Sequence, residues 1–267
     1  MIEKICEIKK LLEKRKPLIH CITNPISINQ CANAILSLGA RPIMAEHPGE
    51  VSEITATSAS LMLNTGNITD TRMESIMLSL KCAGERSIPA LLDVVGIACS
   101  RLRREYVLNL LKISKPSVIK GNYSEIMALS DEKYSSSGVD SDCSLETETV
   151  SKAAKELAKK HDTVILATGK RDIITDGKRL IYVKNGTPSL TSVTGTGCML
   201  GAIASAFMTT AEPIEASVAA CVYLGVCGEL SETERGNGSF MVKLMDKISK
   251  ISTDEISKHI SVEVKED

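Results

Sequence analysis

Short apolar runs alternate with stretches of helical periodicity along almost the whole chain. Residues 17–23 (PLIHCIT), 41–45 (RPIMA), 60–66 (SLMLNTG), 90–96 (ALLDVVG), 116–122 (PSVIKGN) and 162–169 (DTVILATG) are compact hydrophobic runs. Runs of that length and content read as buried strands. Between them the apolar positions fall three and four apart. Ser27 stands where it can cap SINQCANAILSL, which stops at Gly39; Asp70 opens DTRMESIMLSLKCAGE, and residues 101–112 form another such segment. Strand and helix in turn predict an α/β fold, with a mostly parallel central sheet and helices on both faces.

Two intervals break the rhythm. Within 172–187, DIITDGKRLIYV sets Asp176 and Gly177 between alternating runs, the signal of a hairpin. Residues 131–149 are polar and Ser-rich and read as an exposed loop. A domain linker is the alternative, but the same alternation resumes afterwards, so residues 1–267 read as a single domain. Beyond Cys198 the pattern is helical. The run to Thr210 is apolar nearly all round and should be buried, Pro213 opens a second long helix, and a helix after Phe240 is expected to complete the chain. At the other end, Ile2, Ile5, Ile8, Leu11 and Leu12 form one stripe. Glu3, Glu7 and Glu13 are acids that a transit peptide should lack, so this is a surface helix docking on the fold.

Composition narrows the classes. With 43% hydrophobic and 24% charged residues in 267, the chain can bury a large core and is not globally disordered. A net charge of −1 provides no basic field for nucleic acid or an anionic membrane, and no apolar stretch is long enough to cross a bilayer. The nine cysteines are odd in number and form no CxxC pair. Cys21, Cys82, Cys221 and Cys227 lie inside apolar runs. Free buried thiols, and hence a reducing cytoplasm, are the better reading than disulfides.

The densest chemistry is the run Thr194, Gly195, Thr196, Gly197, Cys198, where a loop enters the apolar helix. Glycine lets backbone N–H groups approach a ligand, and a helix N-terminus is partially positive, so Gly195, Thr196, Gly197 and Cys198 form a candidate anion hole. The same dipole is expected to lower the pKa of Cys198. In open parallel sheets ligands collect beyond the carboxyl ends of the strands. Those ends here carry Thr23 and Asn24, Met44 to Glu46, Asn64 to Gly66, Asp93, Lys120 to Asn122, and Thr168 with Gly169. Asp93 and Glu125 would suit Mg²⁺, which takes one or two carboxylates with phosphate oxygens and water. Read alone, Glu125 is equally a first-turn acid stabilising its helix; Lys120 could pair with a nucleotide phosphate, the alternative being a solvated surface lysine. His20, His47, His161 and His259 are scattered without metal spacing, His20 within a buried-strand pattern. A P-loop is absent, and so is a dinucleotide fingerprint after the first strand.

These motifs carry a resemblance. ITNPISINQCANAILSLGARPIMAEHPGEV, LNTGNIT, LLDVVG, IKGNYSEI, GVDS, ATGKRDIITDG, SVTGTGCMLGA and GNGSF, in this order, resemble the hydroxyethylthiazole kinases of thiamine salvage, a ribokinase-like family. The resemblance covers nearly the whole length. It implies transfer of the γ-phosphate of ATP to the hydroxyl of 4-methyl-5-(2-hydroxyethyl)thiazole, with Mg²⁺. It places the alcohol against Met44, Gly195 and Asn24, ATP against Lys120 and Thr168, and Mg²⁺ with its water near Asp93 and Glu125. It puts Cys198 where other ribokinase-like enzymes carry an aspartate base, and it implies a homotrimer with sites between subunits. Other readings are a ribokinase-like kinase for hydroxymethylpyrimidine or pyridoxal, and a non-catalytic thiazole or nucleotide sensor. Val94 and Asn237 stand where relatives commonly have proline, and Lys120 where they usually have arginine, which keeps the charge but loses the bidentate fork.

Overall fold

A computed structural model describes residues 2–136 and 145–265. Nine strands form one sheet in the order β2-β1-β3-β4-β5-β6-β7-β8-β9. The first six are β1 (Leu18–Ile22), β2 (Arg41–Ile43), β3 (Ser60–Asn64), β4 (Ala90–Asp93), β5 (Val118–Asn122) and β6 (Val164–Thr168). They pair in parallel. Then β7 (Asp172–Thr175), β8 (Leu180–Val183) and β9 (Val262–Lys265) continue the sheet antiparallel. The strands from β3 to β6 are buried almost throughout, the mark of a parallel sheet covered on both faces.

One face carries α1 (Ile2–Arg15), α2 (Ile28–Ser37), α8 (Thr196–Phe207), α9 (Pro213–Glu229), α10 (Asn237–Lys250) and α11 (Thr253–His259). Their apolar sides share a core with Met62, Leu91, Val118 and Leu166. On the other lie α3 (Val51–Thr57), α4 (Asp70–Glu85), α5 (Arg101–Ile113), α6 (Tyr123–Ser130) and α7 (Thr147–His161), over a core around Leu61, Leu63, Leu92 and Ile119. Inside α8 every residue from Met199 to Phe207 is buried, as its all-round hydrophobicity requires. Pro213 opens α9 at a first-turn position.

The strands and the hairpin fall where the pattern puts them. Asp176 fixes the hairpin loop, its carboxylate accepting from the N–H groups of Lys178 and Arg179. The C-terminal expectation needs correction. The last helical stretch is two helices, α10 and α11, and the chain then returns to the sheet as β9, beside β8. Its four residues, VEVK, alternate with period two but are too few to declare themselves. The expected loop also ends earlier than 149, since α7 begins at Thr147; residues 137–144 of it lie outside the described residues. Every described cysteine is a free thiol. Among the described residues no helix is long and apolar enough to cross a membrane.

Candidate active site

The register of three strands assembles the base of the site. Met62, Leu91 and Val118 stand opposite one another on β3, β4 and β5. Two residues further on, and therefore on the same face, Asn64 stands opposite Asp93 and Asp93 opposite Lys120. An apolar ladder thus ends at the carboxyl rim in a polar row. All three are buried, Lys120 the most open at 4%, and groups so placed must satisfy one another. Lys120 Nζ donates to Asp93 Oδ1 at 3.0 Å, and Asn64 Nδ2 to Asp93 Oδ2 at 2.9 Å.

Helix α8 lies over this row. Its N-cap is Gly195, at φ +90°, a conformation that glycine takes without a Cβ penalty. The first intrahelical bond runs from Met199 N–H to Gly195 O at 2.8 Å, which leaves the N–H groups of Thr196, Gly197 and Cys198 ahead of it. A Cβ on Gly197 would sit 3.9 Å from Lys120 Nζ, so the ammonium faces the same helix end. Dipole and ammonium together make a positive seat for an anion. One turn on, Gly201 permits the close approach to the sheet: a Cβ there would be 2.9 Å from Met62 Cε.

Cys198 is gripped from two strand ends. Past β1 the chain turns at Asn24, whose Oδ1 accepts from Ser27 N–H at 3.2 Å. Its Nδ2 is left to donate to Cys198 Sγ at 3.1 Å and to Asn64 Oδ1 at 3.4 Å. Asn64 Nδ2 reaches the same sulfur at 3.4 Å. Ser27 occupies the N-cap of α2 but does not cap it through its side chain. Its hydroxyl is 3.1 Å from Thr23 Oγ1, so it ties the turn after β1 together instead.

Glu125 sits in the first turn of α6 and completes a capping box with Asn122. Its Oε2 accepts from Asn122 N–H and its Oε1 from Gly96 N–H, both at 2.7 Å. The helix-stabilising reading is therefore present; the question is whether the carboxylate has a second use. Thr168 closes β6 opposite Asn122, its hydroxyl directed to Gly121 O at 3.4 Å. Met44 is one residue past the edge strand β2, half-buried against the core shared with α8. Register and helix contact thus gather Asn24, Asp93, Lys120 and Gly195 to Cys198 at one point, with Glu125 close enough to Asp93 and Lys120 to shift with their charges. Met44 and Thr168 flank that point on the same rim.

His20 has no part in it: its nitrogens are 2.9 Å from Thr55 Oγ1 and from Ala45 O, and burial lowers its pKa. Val94 N–H donates to Lys120 O at 2.8 Å, a bond that proline could not make. Asn237 opens α10 and donates from its side chain to Ser192 O at 2.9 Å.

The electrostatics correct one expectation. Burial raises the Cys198 thiol above its usual pKa, and Asp93 raises it further. Ser27, Lys120 and Asn24 pull the other way without overcoming this. The thiol is not a preformed thiolate, because an adjacent carboxylate and desolvation outweigh the helix end. Burial, then Asp93, pushes Glu125 up to about 7 against the two backbone N–H donors and Lys120. For Lys120, burial works downward, but Asp93, Cys198 and Glu125 outweigh it and hold the ammonium above its normal value. Lys120 is paired with Asp93, and Glu125 adds a second buried carboxyl group beside them; once Glu125 is ionised, two carboxylates face one ammonium, a balance that suits a divalent cation. Among the described residues no group of three or more His, Cys, Asp or Glu could hold a metal. A cation at Asp93 and Glu125 would draw its remaining ligands from phosphate and water.

Asn64 is the residue that sequence reasoning passed over. Its position at a strand end was visible, but its bridging of Asp93 and Cys198 depends on the pairing of strands far apart in the chain.

The same architecture recurs in solved structures. The hydroxyethylthiazole kinase of Pyrococcus horikoshii OT3 superposes with a TM-score of 0.91 at 33% identity, over 99% of this chain and 100% of that one. The pyridoxal kinase of Staphylococcus aureus, solved with AMP-PCP and pyridoxal, gives 0.64 at 15% identity, over 94% and 98%, a likeness of fold alone. Fold and site define a small-molecule kinase of the ribokinase-like class. The hydroxyethylthiazole kinase family model matches residues 8–254. Hydroxyethylthiazole kinase 2 of Clostridium botulinum (strain 657 / Type Ba4) is 46% identical over 261 residues, 96% of this chain and 98% of that protein. The chain belongs to the hydroxyethylthiazole kinase family.

Proposed function

We propose that the protein phosphorylates the hydroxyl of 4-methyl-5-(2-hydroxyethyl)thiazole with ATP, releasing ADP and the thiazole phosphate in thiamine salvage. The observation that carries this is the thiol of Cys198 at the third position of α8, directly above the Asp93–Lys120 pair, in a chain of this family. The hydroxyl oxygen attacks the γ-phosphorus, the bond to the β-γ bridging oxygen breaks, and ADP leaves. The amides of Gly195 to Cys198 receive charge on the transferring phosphoryl, where fixed donors need no reorganisation. Asn24 and Met44 shape the alcohol's position, and Lys120 and Thr168 serve the nucleotide.

Cys198 orients the alcohol and takes its proton. A positioned base typically contributes about 10²–10⁴-fold. A protonated thiol cannot accept a proton, so Cys198 first gives its own to solvent; the resulting thiolate then takes the alcohol's proton as the new O–P bond forms, and is a thiol again. Asp93 and Glu125 would hold Mg²⁺, which when bound neutralises the phosphate oxygens.

Three further parts of the reading have their own support. Free cysteines agree with a reducing cytoplasm. A homotrimer with sites between subunits is supported by exposed apolar residues around α2: Ile26 at 61%, beside Asn24, Leu36 at 55%, and Val242 at 63% on the adjacent α10. A sensor without activity would not need the buried Asp93 and Glu125. The test is ADP release from MgATP with hydroxyethylthiazole, hydroxymethylpyrimidine or pyridoxal as sole acceptor. Turnover on the thiazole alone is expected; turnover on another alcohol only would overturn the reading.

A further inference from the structure

We propose that Asn64 is a positioning residue for phosphoryl transfer, its one carboxamide holding the Asp93 carboxylate and the Cys198 sulfur in fixed relation. This rests on the kinase reading of the same site.

The position is one where the sheet would accept a hydrocarbon. Asn64 is fully buried, two residues beyond Met62 on the same face of β3. A carboxamide there must satisfy four hydrogen-bonding positions, two donors and two acceptors. All four are used. Oδ1 accepts from Gly66 N–H at 2.8 Å and from Asn24 Nδ2 at 3.4 Å. Nδ2 donates to Asp93 Oδ2 at 2.9 Å and to Cys198 Sγ at 3.4 Å. The Gly66 N–H allows only an oxygen on its side, which fixes the amide's orientation and turns the NH₂ toward Asp93 and Cys198.

Surrounding residues preserve this orientation. A Cβ at Gly66 would lie 2.8 Å from Asn64 Oδ1 and 3.3 Å from Asn24 Nδ2, so glycine there keeps room for both carboxamides. Thr65 secures the backbone between them, its hydroxyl donating to Val95 O at 3.0 Å. Aspartate at position 64 would keep the acceptor but lose the donor. Leucine would lose both, and glutamine would push its amide one methylene into the occupied space.

The consequence is mechanical. Asn24 and Asn64 both donate to Sγ, so the thiol's own hydrogen is directed away from both amides. Because one NH₂ group also grips Asp93, the acid that serves the phosphate side and the sulfur that serves the alcohol side move as a unit. Neither Asp93 nor Cys198 is ordered in this way by any other shared group among the described residues.

A double-mutant cycle tests it: Asn64→Leu, Cys198→Ala and the pair, with MgATP and the thiazole alcohol. In the otherwise native enzyme Asn64→Leu should lower kcat by about 10- to 100-fold and shift KM for the alcohol by less than about threefold. In the Cys198→Ala background the same substitution, now disturbing Asp93 alone, should cost kcat at least about threefold less than it does in the native enzyme. An equal loss in both backgrounds, or an unchanged kcat, overturns the proposal. Should Asn64→Leu fail to fold, Asn64→Ala, which removes the carboxamide without adding charge beside Asp93, is carried through the same cycle with the same expectations. Wild-type protein is the control. If it turns over only another alcohol, the thiazole reading fails and the cycle is read on that alcohol; if it turns over none, both readings fail.

Discussion

Cys198 sits at a helix start but is surrounded by groups that favour its proton. In the proposed reaction its value would lie in place rather than in standing charge. The Cys198→Ala enzyme should keep its fold and its ATP binding, and retain turnover reduced by about 10²-fold or more. Cys198→Asp should be active, since a carboxylate there would meet the same two carboxamide donors. Coupled ADP-release assays beside thermal melting check both; complete loss in a folded, ATP-binding Cys198→Ala protein would show that proton removal is obligatory. Glu125 makes a second prediction at this scale. Its folded pKa of about 7 lies above the ordinary 4.5, so the native state holds a proton that the unfolded chain has released. That contribution to stability is complete below the unfolded value and is lost as pH rises through the folded one. The metal-free protein should therefore melt lower at about pH 7.5 than at about pH 5, with a flatter profile in Glu125→Gln. Added Mg²⁺ should restore more stability at the higher pH, where the carboxylate is already ionised.

At the scale of elements, glycines decide how closely layers meet. Gly225 in α9 faces the backbone of Asn185, where a Cβ would lie 2.7 Å from the carbonyl carbon. On an exposed helix, glycine to alanine would stabilise by up to about 1 kcal/mol. Here the contact is backbone and cannot rotate aside, so Gly225→Ala should destabilise by about 1–3 kcal/mol. A rise in melting temperature would show instead that the segment after β8 shifts freely. The same scale shows what the sequence made legible. Compact apolar runs and caps are local properties, and they located β1 to β8, α2, α4, α5 and the turn at Gly195. Whether Asp93 faces Lys120 or Asn64 depends on register between strands about 30 residues apart, which no local pattern encodes. The thiol's environment escaped for a related reason: the helix end is visible in the chain, but Asp93 beneath it is not. Short elements with weak periodicity, α3, α11 and β9, were also missed.

For the whole molecule, the proposed homotrimer, with the exposed apolar residues around α2 at its interface, is open to direct test. Light scattering or sedimentation should give a mass three times that of the chain, and Ile26→Asp should both dissociate the assembly and depress turnover. A monomer of full activity would remove the need for a neighbour's contribution.

The sheet's last strand has a different consequence. β9 covers β8, yet about eighty residues separate them. During synthesis the segment LIYV emerges with its outer row of backbone donors and acceptors bare, and stays so until residues 262–265 have followed. Apolar edges left open in this way recruit other chains. Deleting residues 262–267 should leave the polar row of Asn64, Asp93 and Lys120 untouched and yet yield a protein that aggregates on expression. β9 would then act as the sheet's terminal seal, protecting the nascent protein from its own copies rather than serving the reaction.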